Sequence, residues 1–443
     1  MTHTDLLIIG GGPGGYEIAA EAARAGRQVT LIERDLLGGT CLNRGCIPTK
    51  CLCASASTIL TVKNASEFGV DISGYTADYS RAAERMSKVV EQLRRGIDTL
   101  LKGVTVVHGE ARLASGRRVI VGDEVYQAEQ ILIATGSRPA SLPIEGAEKA
   151  MSSDDFLKLT SLPSRICIIG GGVIGMEFAS ILAAFGVEVT VVEYCKEILP
   201  PFDKEVAKRL RTSLSRRGVK TIVGAAVTAI RDADDSAMQV VYNGKKGEES
   251  VSCDAVIMAV GRRPVVPEGC EEAGVSLTSR GFIDTDDDMA TSAEGIYAVG
   301  DVNGRCMLAH AAAAQARVAL GEDVDLEFIP SAVFTIPECA MCGLTEEQCE
   351  AEGIEYATAK SMFAANGKAL AMGEGEGFVK IIYSTATRLM LGCHIIGPHA
   401  ADIVAEATAF MVDGTNIDEI AKAVVHGHPT LSEALAAACA AAK

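Results

Sequence analysis

Four apolar residues, Leu6 to Ile9, lead into a run of six positions that is glycine except for Pro13. An Ala-rich stretch with helical spacing follows, then the β-branched run ending at Glu33. This order predicts strand, tight turn, helix and strand. The same order returns from Ile166 to Glu193, so LLIIGGGPGGYEIAAEAARAGRQVTLIE and ICIIGGGVIGMEFASILAAFGVEVTVVE are two copies displaced by 160 residues. Between them the pattern predicts a helix from about Tyr79 to Leu101, short β-like stretches with turns at Gly116 and Gly122, and a strand from Gln130 to Gly136. A Ser-Arg-Pro turn then reads as a boundary. After the second copy, strands continue to Asp254–Gly261, Arg262-Arg263-Pro264 marks another turn, and the stretch from Thr285 ends in GIYAVGD at Asp301. Beyond Phe328 the pattern changes to strands around Val333, Val379–Tyr383 and Met390–Ile396, followed by Ala-rich helices, which predicts a separate C-terminal domain.

Each copy carries G-x-G-x-x-G between a strand and a helix, with an acid closing the second strand. Gly10, Gly12 and Gly15 permit a tight turn and close backbone approach, leaving helix N-terminal amides aimed at a pyrophosphate. Glu33 is then placed to accept from an adenosine ribose. Gly170, Gly172, Gly175 and Glu193 repeat the arrangement. One such pattern is weak evidence; two in full βαβ context, each with its acid, point to two dinucleotide sites.

Composition narrows the partners. The chain has 443 residues, enough for two to four domains, and a formal net charge of -17. Such an acidic surface repels nucleic acid and anionic lipid. The start, Met1-Thr2-His3-Thr4-Asp5, lacks the basic region of a signal peptide, and no uninterrupted apolar run approaches a membrane span of about 18 residues. The expected location is cytoplasmic. Fourteen Cys in a chain of this length do not form a secreted disulfide scaffold, so any disulfide is expected to be chemical.

GGTCLNRGCIPTK, Gly38 to Lys50, places four residues between Cys41 and Cys46. On a regular helix these would be offset by about 7.5 Å along the axis and on different faces, beyond comfortable disulfide geometry. Closing the bond requires a distorted turn, for which Gly45 and Pro48 are suited. Gly38, Gly39 and Thr40 can set a helix N-terminus that stabilises a thiolate. Zinc usually takes shorter Cys spacing and further nearby ligands, which disfavours half of a zinc site here. Near the end of the chain, HGHPTLSE offers the His428 imidazole as a candidate acid/base, with Glu433 five residues on to fix its tautomer. The pair His426 and His428 lacks further ligand spacing, so acid/base work ranks above metal binding and no metal site is expected.

The thiol segment resembles that of the class I pyridine nucleotide-disulfide oxidoreductases. The likeness spans nearly the whole chain, through ATGSRP (Ala134–Pro139), GIYAVGD (Gly295–Asp301), MLAH (Met307–His310) and HGHPTLSE (His426–Glu433). The resemblance implies an α/β chain with two Rossmann-like dinucleotide-binding domains and a C-terminal α+β dimerisation domain. An FAD-binding domain would take 1–139 and resume at 261–327, around an NAD-binding domain at 140–260, with the interface domain at 328–443. It implies that Cys41 is the interchange thiol, that Cys46 lies against the flavin, and that Lys50 sits near the flavin and pairs with Glu177. Gly10, Gly12, Gly14, Gly15, Glu33, Gly39, Thr40, Lys50, Thr135, Gly136, Asp301, Leu308, Ala309 and His310 would hold FAD. Gly170, Gly172, Val173, Ile174, Gly175, Glu177, Glu193 and Gly261 would hold NAD. His428, oriented by Glu433, would be the acid/base, supplied by the other subunit of a homodimer.

Within the family, HGHPTLSE, the LNRGCIPTK form and the apolar Leu31-Ile32 are closer to the members that oxidise dihydrolipoyl groups with NAD than to glutathione reductases. The implied partners are lipoyl groups on 2-oxoacid dehydrogenase or glycine cleavage components. Glutathione- and mercuric-reductase-like enzymes are the rivals within the family, and a non-catalytic flavin-bound scaffold is the rival outside it. Glu193-Tyr194 disfavours the NADP of glutathione-type enzymes. Only Cys439 stands where mercuric reductases carry a terminal Cys pair, and retention of both thiols with His428 and Glu433 argues against a scaffold. Val265 and Ala316 depart from the family pattern, which usually has Asn and Gly there. Cys339 and Cys342 form a C-x-x-C that, like Cys51 and Cys53, is expected to pack as small hydrophobic residues.

Overall fold

The computed structural model describes residues 1–233 and 237–443. The first apolar run forms β1 (Thr2–Ile9), and the Gly-rich turn feeds α1 (Pro13–Arg24) and β2 (Val29–Glu33). Pro13 opens α1, where a missing amide hydrogen costs nothing. The thiol segment forms α2 (Gly39–Arg44) and α3 (Cys46–Lys63). The helix expected from about Tyr79 is α4 (Tyr79–Leu100), whose first amides donate to the Asp78 side chain. The strands β3 (Thr105–His108), β4 (Ala111–Ala114), β5 (Arg118–Val121) and β6 (Glu124–Ile133) follow, with Gly116 and Gly122 in the turns around β5. The strand expected to end at Gly136 stops at Ile133, because Gly136 turns the chain with φ +67°. It also starts earlier, since the first half of β6 pairs with β5.

After β7 (Ser137–Pro139) and α5 (Ser153–Phe156), the second copy forms β8 (Arg165–Ile169), α6 (Val173–Ala184) and β9 (Glu188–Glu193). Then come α7 (Lys204–Arg216), β10 (Lys220–Val223), an antiparallel meander of β11 (Ala226–Asp232), β12 (Met238–Gly244) and β13 (Gly247–Cys253), and β14 (Ala255–Met258). The chain returns through β15 (Arg262–Pro264), which pairs with β7, to β16 (Ile296–Ala298) and α8 (Ala309–Ala319). The last part holds β17 (Ser331–Val333), β18 (Glu338–Gly343), α9 (Glu346–Glu352), β19 (Tyr356–Met362), α10 (Gly367–Ala371), β20 (Phe378–Ser384), β21 (Met390–Gly397), α11 (Ala400–Asp413), α12 (Ile417–Lys422) and α13 (Glu433–Ala440).

The first sheet runs β3-β2-β1-β6-β5-β4, and β16 joins it parallel to β6, so a segment beyond the second copy completes the sheet built by the first. The second copy forms a parallel sheet β10-β9-β8-β14. Leu6 to Ile9 and Ile166 to Ile169 are all buried, as expected for parallel strands covered on both faces. The C-terminal sheet β17-β18-β21-β20-β19 is antiparallel and packs its own apolar cluster under α11 and α13. The helical run Gly39–Lys63 is long and apolar enough, by length and composition alone, to cross a membrane. It is interrupted at Gly45, and α3 packs against α4 and α6.

Candidate active site

The break between α2 and α3 sets the thiols. Gly38 takes a left-handed turn (φ +97°) into α2, and Gly45 ends it in an irregular conformation (φ -146°, ψ -109°). A Cβ at Gly45 would stand 2.9 Å from the Thr40 carbonyl oxygen. The distortion thus lies at Gly45, while Pro48 occupies the first turn of α3, where proline is tolerated. The offset of a continuous helix is removed, and the Cys41 and Cys46 thiols come close enough for each to shift the other's pKa. Arg94 on α4 steadies the segment by donating to Asn43 Oδ1 at 3.0 and 2.7 Å.

The two thiols are electrostatically unequal. The hydrogen bond from Cys41 lowers the Cys46 pKa to about 7; burial opposes this and the Lys50 ammonium assists. The same hydrogen bond, with burial, pushes Cys41 well up. Burial works against the charge on Lys50, yet the Glu177 carboxylate, 2.9 Å from Nζ, outweighs it and raises the Lys50 pKa. Glu177, an expected NAD contact, is buried and also accepts from the Phe334 amide at 2.9 Å. Its side chain therefore faces Lys50 and the thiol side.

Both thiols open on a cleft of about 1140 Å³. Its wall holds Gly10, Gly12, Gly14 and Glu33 from the first copy, and Gly39, Thr40 and Lys50 from the thiol segment. Thr135, Gly136, Asp301, Leu308, Ala309 and His310 of the expected set line it as well. Gly15 lies beneath the wall, where a Cβ would stand 1.9 Å from the Gly10 carbonyl oxygen; Gly10 itself (φ +110°) packs on Ala134. Gly12, the N-cap of α1, has no side-chain cap, which leaves the helix amides open to an anion. Glu33 accepts from the amides of Gly11 (2.6 Å) and Asp35 (2.7 Å), and it retains lone pairs for a ribose hydroxyl. An uncapped helix start, a fixed acid and a long continuous cleft fit FAD.

Ser137 and Arg262 also line this cleft, and reading the sequence alone passed over them. Ser137 donates to Asp301, and Arg262 donates to Ser137 Oγ at 2.7 Å and to its carbonyl at 2.9 Å. The signal was their place in the ATGSRP and GRRP turns, which meet as β7 and β15. Val265, where the family pattern has Asn, holds the site by backbone: its amide donates to Gly136 and its carbonyl accepts from Thr135. Ala316 is buried in the core behind α1, away from the cleft wall.

The second copy repeats the first in atomic detail. A Cβ at Gly175 would stand 2.0 Å from the Gly170 carbonyl oxygen, and Glu193 accepts from the amides of Gly171 and Cys195. Val173 and Ile174 reach the large cleft; Gly170, Gly172, Gly175, Glu193 and Gly261 do not line it. Tyr194, beside Glu193, is exposed.

His428 Nδ1 lies 3.0 Å from Glu433 Oε1, and Glu433 Oε2 accepts from the Thr430 amide at 2.7 Å. That amide, then His428, holds Glu433 below the ordinary carboxylate range. The His428 side chain is 80% exposed and is not on the cleft wall of its own chain, so one chain alone does not unite it with Cys41. Cys339 and Cys342 point to opposite faces of β18 into two different apolar clusters, which leaves them no common bond. Cys51 is buried in the same cluster as Cys339, and Cys53 packs against its edge.

Residues 4–316 match the family described as pyridine nucleotide-disulphide oxidoreductase, and residues 329–439 match that family's dimerisation domain. The chain is 38% identical over 442 residues to a dihydrolipoyl dehydrogenase of Chlamydia pneumoniae, covering 97% of this chain and 95% of that protein. It is 37% identical over 445 residues to the dihydrolipoyl dehydrogenase of Geobacillus stearothermophilus, covering 97% and 94%. Among solved structures it resembles the HOCl-induced flavoprotein disulfide reductase RclA of Escherichia coli, with a TM-score of 0.87, 30% identity and coverage of 99% and 100%.

Proposed function

The chain belongs to the pyridine nucleotide-disulphide oxidoreductase family, and from that premise we infer that it oxidises protein-bound dihydrolipoyl groups to the cyclic disulfide with NAD⁺ as acceptor, through Cys41, Cys46 and FAD. The observation that carries this is the unequal thiol pair on the wall of the dinucleotide cleft, joined to likeness over 97% of the chain to dihydrolipoyl dehydrogenases. The dimerisation domain makes the working unit a homodimer. Lipoyl groups on 2-oxoacid dehydrogenase or glycine cleavage components are the substrates proposed.

With Cys41 and Cys46 joined as a disulfide, a substrate thiolate attacks Cys41 Sγ. The Cys41–Cys46 bond breaks and Cys46 leaves as thiolate, with the Lys50 ammonium beside it to stabilise the charge. The second substrate thiol gives its proton to His428 and attacks the substrate sulfur of the mixed disulfide; the lipoyl disulfide is released and Cys41 leaves as a thiolate that takes the proton back from His428. Glu433 accepts from His428 Nδ1–H, so Nε2 is the free base. FAD, when bound, carries the two electrons from the dithiol to NAD⁺. The Gly10–Gly15 turn, Glu33 and Asp301 would hold it, while Glu193 would accept from the NAD ribose and reject an added phosphate.

The test is turnover with dihydrolipoamide and NAD⁺, run beside glutathione with the same acceptor. His428→Gln should lower the dihydrolipoamide rate by roughly 10²- to 10⁴-fold, the range for losing a general acid or base. Mixing His428→Gln chains with Cys41→Ser chains should restore one working site per heterodimer if His428 serves the other subunit. Preference for glutathione would refute the substrate assignment, and heterodimers without recovery would refute the shared site.

A further inference from the structure

A second histidine stands two residues before the proposed base, and the reaction above does not use it. His426 Nε2 lies 2.6 Å from Glu406 Oε1, and the imidazole is tucked in with 9% of its side chain exposed. An ionised carboxylate only accepts, so Nε2 carries the proton and donates it. The neighbours are outward: Val425 is 93% exposed, and Gly427, His428 and Pro429 are all exposed in a stretch without regular secondary structure. Beyond them the chain is caught again at Thr430. Its carbonyl accepts from Asn366 at 3.0 Å, its amide donates to Glu433, and its hydroxyl donates to the Gly427 carbonyl at 2.8 Å. The exposed segment that carries His428 is thus bracketed by two fixed points, Glu406–His426 on one side and Thr430 on the other.

We propose that Glu406 and His426 form a positioning pair that fixes where the backbone carrying His428 stands, an inference that rests on reading His428 as the acid/base. The division of labour follows from the contacts. Glu433 sets the tautomer and orientation of the His428 ring, but it does not set the path of the chain that enters from Ala423. That path includes Gly427, whose torsions are the least restrained of any residue, and His426 is the anchor closest before it. Glu406 lies on α11 (Ala400–Asp413), a regular helix packed on β18 and β21, so the anchor sits on a framework element and not on the exposed segment itself. A base displaced by about 1 Å can lose about 10² in rate. The effect of losing the pair should therefore fall on the dithiol step and not on nucleotide chemistry.

The experiment compares His426→Ala, His426→Gln and Glu406→Gln in the flavin-loaded dimer by two assays. Dihydrolipoamide oxidation needs the base; NADH-driven reduction of ferricyanide takes electrons without thiol exchange. His426→Ala should lower kcat for dihydrolipoamide roughly 10- to 100-fold, with ferricyanide reduction and the KM for NADH within about twofold. His426→Gln keeps a donor toward Glu406 and should recover part of the loss. Combined with His428→Gln, His426→Ala should add no further loss, because it acts only through His428. If His426→Ala folds poorly, Glu406→Gln carries the same comparison. Losses that multiply in the double variant, equal losses in both assays, or unimpaired single variants beside a crippled His428→Gln would each overturn this proposal alone. Normal turnover by His428→Gln would remove the base assignment and this proposal with it.

Discussion

At Cys46 the pKa is lowered by its neighbours, the Cys41 thiol first and Lys50 after it. With the Cys41 thiol donating to it in the reduced protein, Cys46 is lowered to about 7 and stands largely as a thiolate at neutral pH, where an unperturbed thiol stays neutral. The group is neutral when protonated, so its reactive form is lost as pH falls through about 7 and grows as pH rises. In the reduced protein, alkylation of Cys46 by iodoacetamide should follow that curve, read by mass spectrometry peptide by peptide. Cys41→Ala, which removes the chief cause of the lowering, should move the midpoint upward. An unmoved midpoint would show that the Cys41 thiol is not what stabilises Cys46. The thiols, His428 and Glu433 were legible in the sequence because their chemistry lies in short segments. Ser137 and Arg262 were not, because they meet only when two turns 125 residues apart pair as strands.

At the level of the element, the two βαβ turns separate glycines needed by the fold from those needed by a ligand. Gly15→Ala would drive a methyl to 1.9 Å from a carbonyl oxygen inside the turn, overpacking that costs typically about 1–3 kcal/mol and sometimes more. At Gly12, φ is -80° and a Cβ would meet nothing nearer than 3.8 Å. Gly12→Ala should therefore leave the melting temperature of flavin-free protein unchanged while flavin content per chain falls; Gly15→Ala should lower both. A Gly12→Ala variant that binds flavin normally would show that the cofactor does not approach that backbone. The repeat was plain from spacing alone, because strand, glycine and terminal acid sit at matching intervals in both copies. Strand ends were less so: β6 begins where β5 pairs with it, a contact that local pattern does not encode.

Across the whole molecule, the described residues join their parts through a lysine that no motif announced. Lys380 on β20 is buried with its Nζ 2.7 Å from Asp203 Oδ2, and it also meets Glu346. Asp203 is the N-cap of α7, accepting from the amides of Glu205 and Val206. Burial opposes the Asp203 charge, yet Lys380 holds its pKa below the usual value. Its share of stability is thus present at neutral pH and lost as pH falls below the ordinary carboxylate range. Lys380→Met leaves that carboxylate buried without its cation and should cost about 3–5 kcal/mol in denaturant unfolding; a cost under about 1 kcal/mol would mean that water reaches Asp203. The exposure of His428 on its own chain has a further consequence, in the concentration dependence of the rate. If two chains complete each site, dithiol turnover per chain must fall on dilution as the association equilibrium shifts, whereas ferricyanide reduction, which uses groups of a single chain, stays level. A dilution series reading both rates should show the two curves part; curves that stay parallel to the lowest concentration at which monomers are detected would place the whole site within one chain.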